Sequence, residues 1–283
     1  MTPRWVVYDE PGGGGGGPWE PSQLAALSGW WDASDSSTLF DATSGGSTPP
    51  PSGDVLRIED RSGNGFDLTQ ATAANAPYYE TNYQNGLSVL RFDIRGQNLR
   101  RSTVPICKAV DGFSCFAVVK GGQFFSTAGY VFNVGTGVSD ATRAHLYLFG
   151  LDEIGHGGRR LDADSFAQKQ TPTSNFVNSF VIAASEYDYS AAESNACLDG
   201  VQYTPVSFQS SGQTSATDSF RVSIGANLVD AANFGFDGRI GEVIAVDAKL
   251  SQADREKVEG YLAHKWGLAG NLPVSHPYKN AAP

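Results

Sequence analysis

Apolar residues alternate along residues 239–247, near the end of the chain. The alternation assigns two sets of side chains to opposite faces of a predicted strand, with Ile240, Glu242, Ile244 and Val246 on one face and Val243 and Ala245 on the other. Because both faces carry apolar residues, we expect the middle of this strand to be buried on both sides. Such burial is typical of the interior of a β-sandwich.

A helix is predicted directly after this strand, over residues 252–266. Ser251 is a favourable N-cap, and Asp254 places a negative charge in the first turn, near the positive end of the helix. The apolar residues recur at the spacing of one helical stripe: Val258, Tyr261, Leu262 and Trp266. Gly267 ends the helix. We therefore expect Tyr261, Leu262 and Trp266 to belong to the structural core.

Short apolar stretches separated by turn residues continue through most of the chain. The predicted strands lie at 86–93, 114–120, 130–135, 144–150, 179–188, 196–206, 219–227 and 239–247. The dipeptide Asp199-Gly200 predicts a type I′ hairpin turn. Many short strands with one terminal helix predict an all-β fold, an antiparallel β-sandwich of jelly-roll type.

Two blocks of sequence resemble LamG-like, concanavalin A-like jelly-roll domains. The C-terminal block carries G-x-I-x-E over 238–242, LS-x-x-x-R-x-x-VEGYLAHKWGL over 250–268 and LP-x-x-HPYK over 272–279. The N-terminal block carries W-x-D-A over 30–33 and D-x-SGNG over 60–65. The resemblance spans about residues 19 to 280 and implies a LamG-like jelly roll whose core begins at Trp30 and Trp31. Many carriers of such domains are tailed-phage virion proteins, and others are bacterial surface proteins.

The chain divides into three predicted segments: a Gly-rich N-terminal arm for assembly over 1–22, the sandwich over 23–270, and a C-terminal tail over 271–283. The arm combines Trp5 and Tyr8 with a glycine run over 12–17, and Trp19 leads into the sandwich. Large aromatic side chains dominate interface energetics, so we expect Trp5, Tyr8 and Trp19 to bind a partner protein. The alternative expectation is that the arm is a disordered tether.

The amino-acid composition limits the classes of partner and the cellular compartment that are expected for this protein. The chain has 20 lysine and arginine residues against 30 aspartate and glutamate residues, a net charge of −10, which argues against nucleic acid and against a basic membrane-binding face. It shows no secretory signal pattern and no long apolar span. Cys107, Cys115 and Cys197 lie in apolar surroundings and predict buried free thiols. These features predict synthesis in a reducing host cytoplasm.

Glu186 and Asp188 are the catalytic candidates. Some glycanases on this fold carry E-x-D-x-x-E on one strand, and these two residues match its first two carboxylates. The next acid, Glu193, comes two positions late and out of register. A glycosidase needs both a nucleophile and an acid. We therefore predict no catalytic residue and no enzymatic activity, with an endoglycanase as the remaining alternative.

Asp60, Asn64 and Asp67 place three side-chain oxygens around a Gly-rich turn. They predict either the start of a calcium site or caps of the turn itself, because calcium takes six to eight oxygens while Asp and Asn commonly bond within their own turns. No other cofactor is predicted.

Two further features are candidates for sugar contact. Residues 150–164 are predicted to form a loop that mixes acids, arginines and glycines, and such loops commonly carry recognition functions. Tyr78, Tyr79 and Tyr83 are placed either to stack on sugar rings or to pack under the next strand.

Together these observations favour a non-enzymatic, multi-copy phage virion protein. It is expected to be a head decoration or tail/fibre subunit that the arm anchors to other virion proteins, forming a homo-oligomer in the particle. The alternative is a carbohydrate-binding adhesin that recognises host surface glycans, on a phage or on a bacterial cell.

Overall fold

The computed structural model describes residues 18–93, 96–122, 128–136, 142–173, 176–177, 179–208, 210–229 and 231–283. Within those residues the chain forms, in order, β1 (Leu27–Asp32), β2 (Leu39–Phe40), β3 (Arg57–Ile58), β4 (Leu68–Thr69), β5 (Tyr78–Gln84), β6 (Leu87–Phe92), β7 (Leu99–Val104), β8 (Gly112–Gly121), β9 (Gly129–Gly135), β10 (Thr142–Phe149), β11 (Glu153–Gly158), β12 (Ala167–Pro172), β13 (Val181–Asp188), β14 (Glu193–Leu198), β15 (Val201–Gln202), β16 (Val206–Ser207), β17 (Phe220–Ile224), β18 (Gly238–Val246) and α1 (Gln252–Lys265). Short 3₁₀ turns lie at Pro21–Gln23, Ser36–Thr38, Ala73–Asn75 and Ala269–Asn271. No helix in these ranges is long and apolar enough to cross a bilayer.

The strands form two antiparallel sheets that pack as a sandwich. Sheet I has the order β15-β14-β13-β8-β18-β6-β5, with β1 also pairing with β18 and β16 with β14. Sheet II has the order β12-β11-β10-β9-β17-β7-β4-β3-β2. Hairpin pairs alternate with pairs of strands that are distant in sequence, such as β8 beside β18 and β9 beside β17, as in a jelly roll. The predicted fold class, an antiparallel concanavalin A-like sandwich with one C-terminal helix, is confirmed.

The main core lies between the two sheets. Trp31, Phe92, Phe113 and Phe132 are buried there, and the rings of Phe113 and Phe132 stack with centroids 5.9 Å apart. The three cysteines are buried and free, as the sequence predicted. Burial raises the pKa of Cys107, Cys115 and Cys197, so these thiols pack as small apolar side chains.

A second apolar layer lies on the outer face of sheet I, beneath α1. Trp30, Leu262 and Trp266 are buried there together with Val258, and Tyr261 is half-buried at the edge of the layer. Helix α1 thus covers one face of sheet I with its apolar stripe. Sheet I is buried on both faces along β18, as the alternating pattern predicted.

Both ends of α1 follow from local rules. The hydroxyl of Ser251 accepts a hydrogen bond from the backbone N–H of Asp254 at 3.1 Å and donates to the Asp254 carboxylate at 2.8 Å. At the other end Gly267 has φ +70°, and Leu268 N–H donates to the carbonyl of Ala263. This is a Schellman motif, which needs a left-handed residue at the position of Gly267.

A β-bulge at Gly241 changes the predicted faces of β18. The register shifts between Ile240 and Glu242, so Ile240 joins Val243 in the core between the sheets, while Glu242 and Ile244 face α1. The assignment of Ile240 to the face of Glu242 was therefore wrong. A Cβ at Gly241 would lie 2.6 Å from the Trp266 ring, so the glycine lets that ring lie against the strand.

The predicted loop over 150–164 is also corrected. Its Glu153–Gly158 segment is strand β11, paired with β10 and β12. The predicted hairpin turn is confirmed, because Asp199 and Gly200 have φ of 48° and 82°, both positive as type I′ requires.

Candidate functional site

Residues of the two sequence blocks meet at the junction of β1, β18 and α1. The Trp30 indole N–H donates to the Glu242 carboxylate at 2.6 Å, and the Trp266 indole N–H donates to its other oxygen at 2.8 Å. Tyr261 OH and Lys265 Nζ donate to the same carboxylate at 3.1 and 2.7 Å. Burial raises the pKa of Glu242, and the nearby Asp32 adds to the rise.

Asp32 is the second buried carboxylate of this network. It accepts hydrogen bonds from Lys265 Nζ, from Arg61 Nη1 and from the Ser34 hydroxyl, each at 2.6 Å. Burial alone would raise the pKa of Asp32, but Lys265, assisted by Ser34 and Arg61, outweighs burial and holds it below its ordinary value. The Lys265 ammonium is fully engaged by Asp32, Glu242 and Tyr261 OH. We conclude that this network joins two strands to the helix and is structural.

An apolar pocket of about 490 Å³ opens beside the network. Trp19 and Tyr261 form one wall, with ring centroids 5.9 Å apart, and His264 and Pro283 line the remainder with Arg61. Trp19, predicted as a partner anchor, therefore packs on this pocket. The other two predicted anchors, Trp5 and Tyr8, lie outside the described residues.

The calcium candidates form a turn whose oxygens accept from the protein itself. The Asp60 carboxylate accepts from the backbone N–H groups of Trp30, Ser62 and Phe66 at 2.9, 2.9 and 3.0 Å. Asp67 accepts from Asp60 N–H at 3.0 Å, and the Asn64 amide donates to the carbonyl of Leu27 at 3.0 Å. Within the described ranges no group of three His, Cys, Asp or Glu side chains is placed to hold a metal ion. The geometry is that of turn caps.

The glycanase candidates do not share an open cleft. Glu186 is buried beneath α1, where Gln202 donates to it at 2.9 Å and Arg255 lies 3.7 Å away. Asp188 is engaged by Ser190 and Lys249 at 2.6 and 3.1 Å. A glycan chain at the surface therefore has no access to the Glu186 carboxylate.

The tyrosine candidates for sugar stacking are engaged by neighbouring side chains. Tyr79 is buried, and the Arg91 guanidinium lies 4.9 Å from the Tyr78 ring. Tyr83 packs edge-on against Phe180 with centroids 5.9 Å apart and lies under Arg239 at 5.0 Å.

A continuous row of mainly polar residues crosses the outer face of sheet II. Strand register places each residue directly opposite the next, in the order Phe40, Arg57, Thr69, Arg100, Ser223, Asn133, His145, Gly157 and Gln168. Directly opposed residues share a face, and their sequence neighbours such as Leu99 and Val222 point into the core. We call this set the polar row.

The middle of the polar row is covered. Asn133 and His145 are fully buried, with the rings of Tyr130, Tyr147 and Phe166 within 5.8 Å of the imidazole centroid. Within the described part of the chain, neither ring nitrogen of His145 has a hydrogen-bond partner, nor has Asn133 Oδ1. Burial lowers the pKa of His145 to about 3, so the ring is neutral at physiological pH.

One end of the polar row is open and forms a cleft of about 660 Å³, which we call the arginine cleft. It is lined by Thr43, Ser44, Arg57, Asp67, Thr69, Gln70, Ala71, Thr72, Arg100, Arg101 and Ser102. Three arginines thus face a single aspartate in a chain of net charge −10. The sequence patterns missed this cleft because β3, β4 and β7 were not predicted as strands; the adjacent pair Arg100-Arg101 was the available signal.

The three arginines of the cleft differ in the contacts that they make with other residues. The Arg57 guanidinium lies 3.9 Å from the Phe40 ring centroid and donates to Glu59 at 3.2 Å, while its Nε is buried and has no partner among the residues that the structure describes. Arg101 donates to the carbonyl of Gly65 at 2.9 Å. Arg100 is exposed and makes no hydrogen bond or ion pair with any described residue. The cleft therefore offers unused cationic donors.

Comparison with known proteins supports the fold. No protein-family model matches the sequence, and no curated protein is significantly similar to it. Similar solved structures include a Trypanosoma rangeli sialidase in complex with sialic acid (TM-score 0.54, 14% identity, 86% of this chain and 34% of that one) and the binding domain of Paraclostridial Mosquitocidal Protein 1 (TM-score 0.53, 9% identity, 74% of this chain and 50% of that one). A sialidase CBM40 of Ruminococcus gnavus bound to α2,3-sialyllactose matches at TM-score 0.44 and 16% identity, over 52% of this chain and 80% of that one.

These likenesses concern architecture. This chain spans about a third of the sialidase and half of the mosquitocidal binding domain. At identities this low, the two matches with TM-scores above 0.5 establish a shared β-sandwich fold.

Proposed function

We propose that this protein is a non-catalytic carbohydrate-binding module that holds a surface glycan in the arginine cleft. The observation that carries the proposal is the exposed end of the polar row. There Arg57, Thr69 and Arg100 stand side by side on three adjacent strands and form the floor of an open cleft.

The chemistry of the lining suits a polyhydroxylated ligand. The hydroxyls of Thr43, Ser44, Thr69 and Ser102 make no hydrogen bonds to described residues, so they are available as both donors and acceptors. Sites built on sheet strands hold their side chains in fixed positions, which lowers the entropic cost of binding a flexible ligand. The fold also occurs in a sialidase that has been solved with a bound sugar.

Binding of the purified protein to an array of bacterial surface and animal glycans tests the proposal. We expect saturable binding of at least one glycan by the wild type and at least a tenfold loss in Arg100→Ala, because a hydrogen bond to a charged donor contributes about 1.5–3 kcal/mol. Lys257→Ala on α1 removes the same charge far from the cleft and serves as the control. A wild-type protein that binds no glycan on the array contradicts the proposal.

A second candidate function is that of a multi-copy virion subunit, in which the module is carried on a phage particle. Its support is the resemblance of the two sequence blocks to virion LamG-like domains and the aromatic arm that leads to Trp19. Glycan binding and particle attachment are compatible, since a particle-bound lectin does both. Deleting residues 1–18 is expected to leave a folded protein that no longer joins particles. Full incorporation of the truncated protein would contradict the assembly role of the arm.

A further inference from the structure

The arginine cleft carries an excess of positive charge that the described residues do not neutralise. Among the lining residues the only acid is Asp67, and its Oδ1 accepts from the backbone of Asp60. Arg57 is paired with Glu59, but Arg100 has no anionic partner among the described residues. Arg100 is thus a cation next to the nearly buried cation of Arg57. An anion bound between the two guanidinium groups stabilises both charges.

The spacing of the two arginines suits one small anionic group. Arg57 and Arg100 flank Thr69 on adjacent strands, so their backbones are separated by two strand spacings, about 10 Å. Two arginine side chains can converge on one group over that distance. The guanidinium fork matches a carboxylate in a bidentate manner.

Hydroxyl groups next to the cations indicate the rest of the ligand. Thr69 lies between the two arginines, and Thr43 and Ser44 line the cleft with Ser102. A bare inorganic anion would leave these hydroxyls bonded to water, whereas a pyranose ring presents donors and acceptors to them. A nucleic acid is disfavoured, because a net charge of −10 repels a long polyanion.

We infer that the ligand of the arginine cleft is an acidic saccharide. Its carboxylate is bound by Arg100 and Arg57, and its ring hydroxyls are bound by the hydroxyl side chains of the cleft, Thr43, Ser44, Thr69 and Ser102. This inference rests on the proposed function and specifies its ligand class. Binding is expected to weaken with salt, because Arg100 is exposed.

Calorimetric titration with matched saccharides tests the inference. The probes are 3′-sialyllactose and a glucuronic acid-terminated disaccharide, each compared with its methyl ester, which keeps every hydroxyl and removes the charge. We expect at least one acid to bind tenfold or more tighter than its ester. Arg100→Ala should reduce the affinity of that acid to the level of the ester, and Arg100→Lys should restore only part of it, because lysine keeps the charge but lacks the fork. Lys257→Ala should bind as the wild type does.

The outcomes separate the two proposals. If acid and ester bind equally well and Arg100→Ala weakens both, glycan binding in the cleft stands and the acidic ligand class is wrong. If an acid is preferred but Arg100→Ala has no effect, the site assignment is wrong. If inorganic phosphate or sulfate binds as tightly as the acidic saccharide, the cleft is a general anion site and the inference of a saccharide ligand is wrong. If neither these probes nor the glycan array gives binding, the proposed function itself is overturned.

Discussion

Replacing Lys265 with methionine removes the ammonium that two buried carboxylates share. Lys265 Nζ lies 2.6 Å from Asp32 and 2.7 Å from Glu242, and both carboxylates are about 1% exposed. Removing one partner of a buried ion pair typically costs about 3–5 kcal/mol, because the remaining charge stays out of water. Arg61 still contacts Asp32 in the variant. We therefore expect a loss of about 3 kcal/mol at pH 7.5, measured by urea unfolding.

The pH dependence distinguishes a buried charge from lost packing. Without Lys265, burial and mutual repulsion hold the folded pKa of the two carboxylates above their unfolded values near 4. A raised folded pKa means that stability is complete below the unfolded pKa and is lost as pH rises through the folded pKa. The difference between wild type and Lys265→Met should therefore shrink as pH falls from 7.5 to 5.

Two further variants complete this test. Lys257→Met removes a half-exposed lysine from the same helix and should change stability by less than about 0.5 kcal/mol. Adding Glu242→Gln to Lys265→Met removes one uncompensated charge and should recover about 1 kcal/mol or more. A loss below about 1 kcal/mol in Lys265→Met, or a loss that is the same at pH 5 and 7.5, would refute the structural role of the network.

Three other predictions concern the fold. Trp266→Ala should cost about 3–5 kcal/mol in urea unfolding, and an unchanged midpoint would show that α1 does not pack on sheet I. Gly241→Ala should cost about 1–3 kcal/mol because its methyl group meets the Trp266 ring, whereas Gly270→Ala, with open space around it, is the control; equal effects would contradict the packing. The pKa of His145 is lowered to about 3, so its stabilising effect is present above the unfolded pKa near 6.5 and is lost as pH falls toward 3. Between pH 6.5 and 5, the free energy of unfolding of the wild type should fall by roughly 2 kcal/mol more than that of His145→Phe. If the two proteins show parallel plots of unfolding free energy against pH, this prediction is wrong.

Local sequence rules predicted the elements whose determinants are close in the chain. The N-cap Ser251, the terminating Gly267 and the Asp199-Gly200 turn each act within a few residues, and all three adopt the expected geometry. The rules failed where a side chain that is distant in sequence determines the backbone conformation. Ile240 changed face because Gly241 bulges beneath Trp266. Strand β11 was predicted as a loop because of its glycines. The strand requires a glycine at position 155, because a Cβ on Gly155 would lie 2.0 Å from the Tyr147 ring.

The candidate site could not be predicted from one sequence for a related reason. Arg57, Thr69 and Arg100 are separated by long stretches of chain and become neighbours only through the register of β3, β4 and β7. Two of those strands have only two residues each, too short for an alternating pattern to be recognised. The motif residues were visible in sequence because each block is a continuous stretch of the chain, and they form the structural network.

Saccharide binding in the arginine cleft is tested most directly by mapping the contact surface with ¹⁵N-resolved NMR during titration of the best-binding acidic saccharide. We predict saturable shifts concentrated at the backbone amides of Thr69, Ala71, Arg100 and Ser102, and their loss in Arg100→Ala. Shifts clustered instead around the pocket of Trp19, or no saturable shifts at millimolar saccharide, would contradict the assignment.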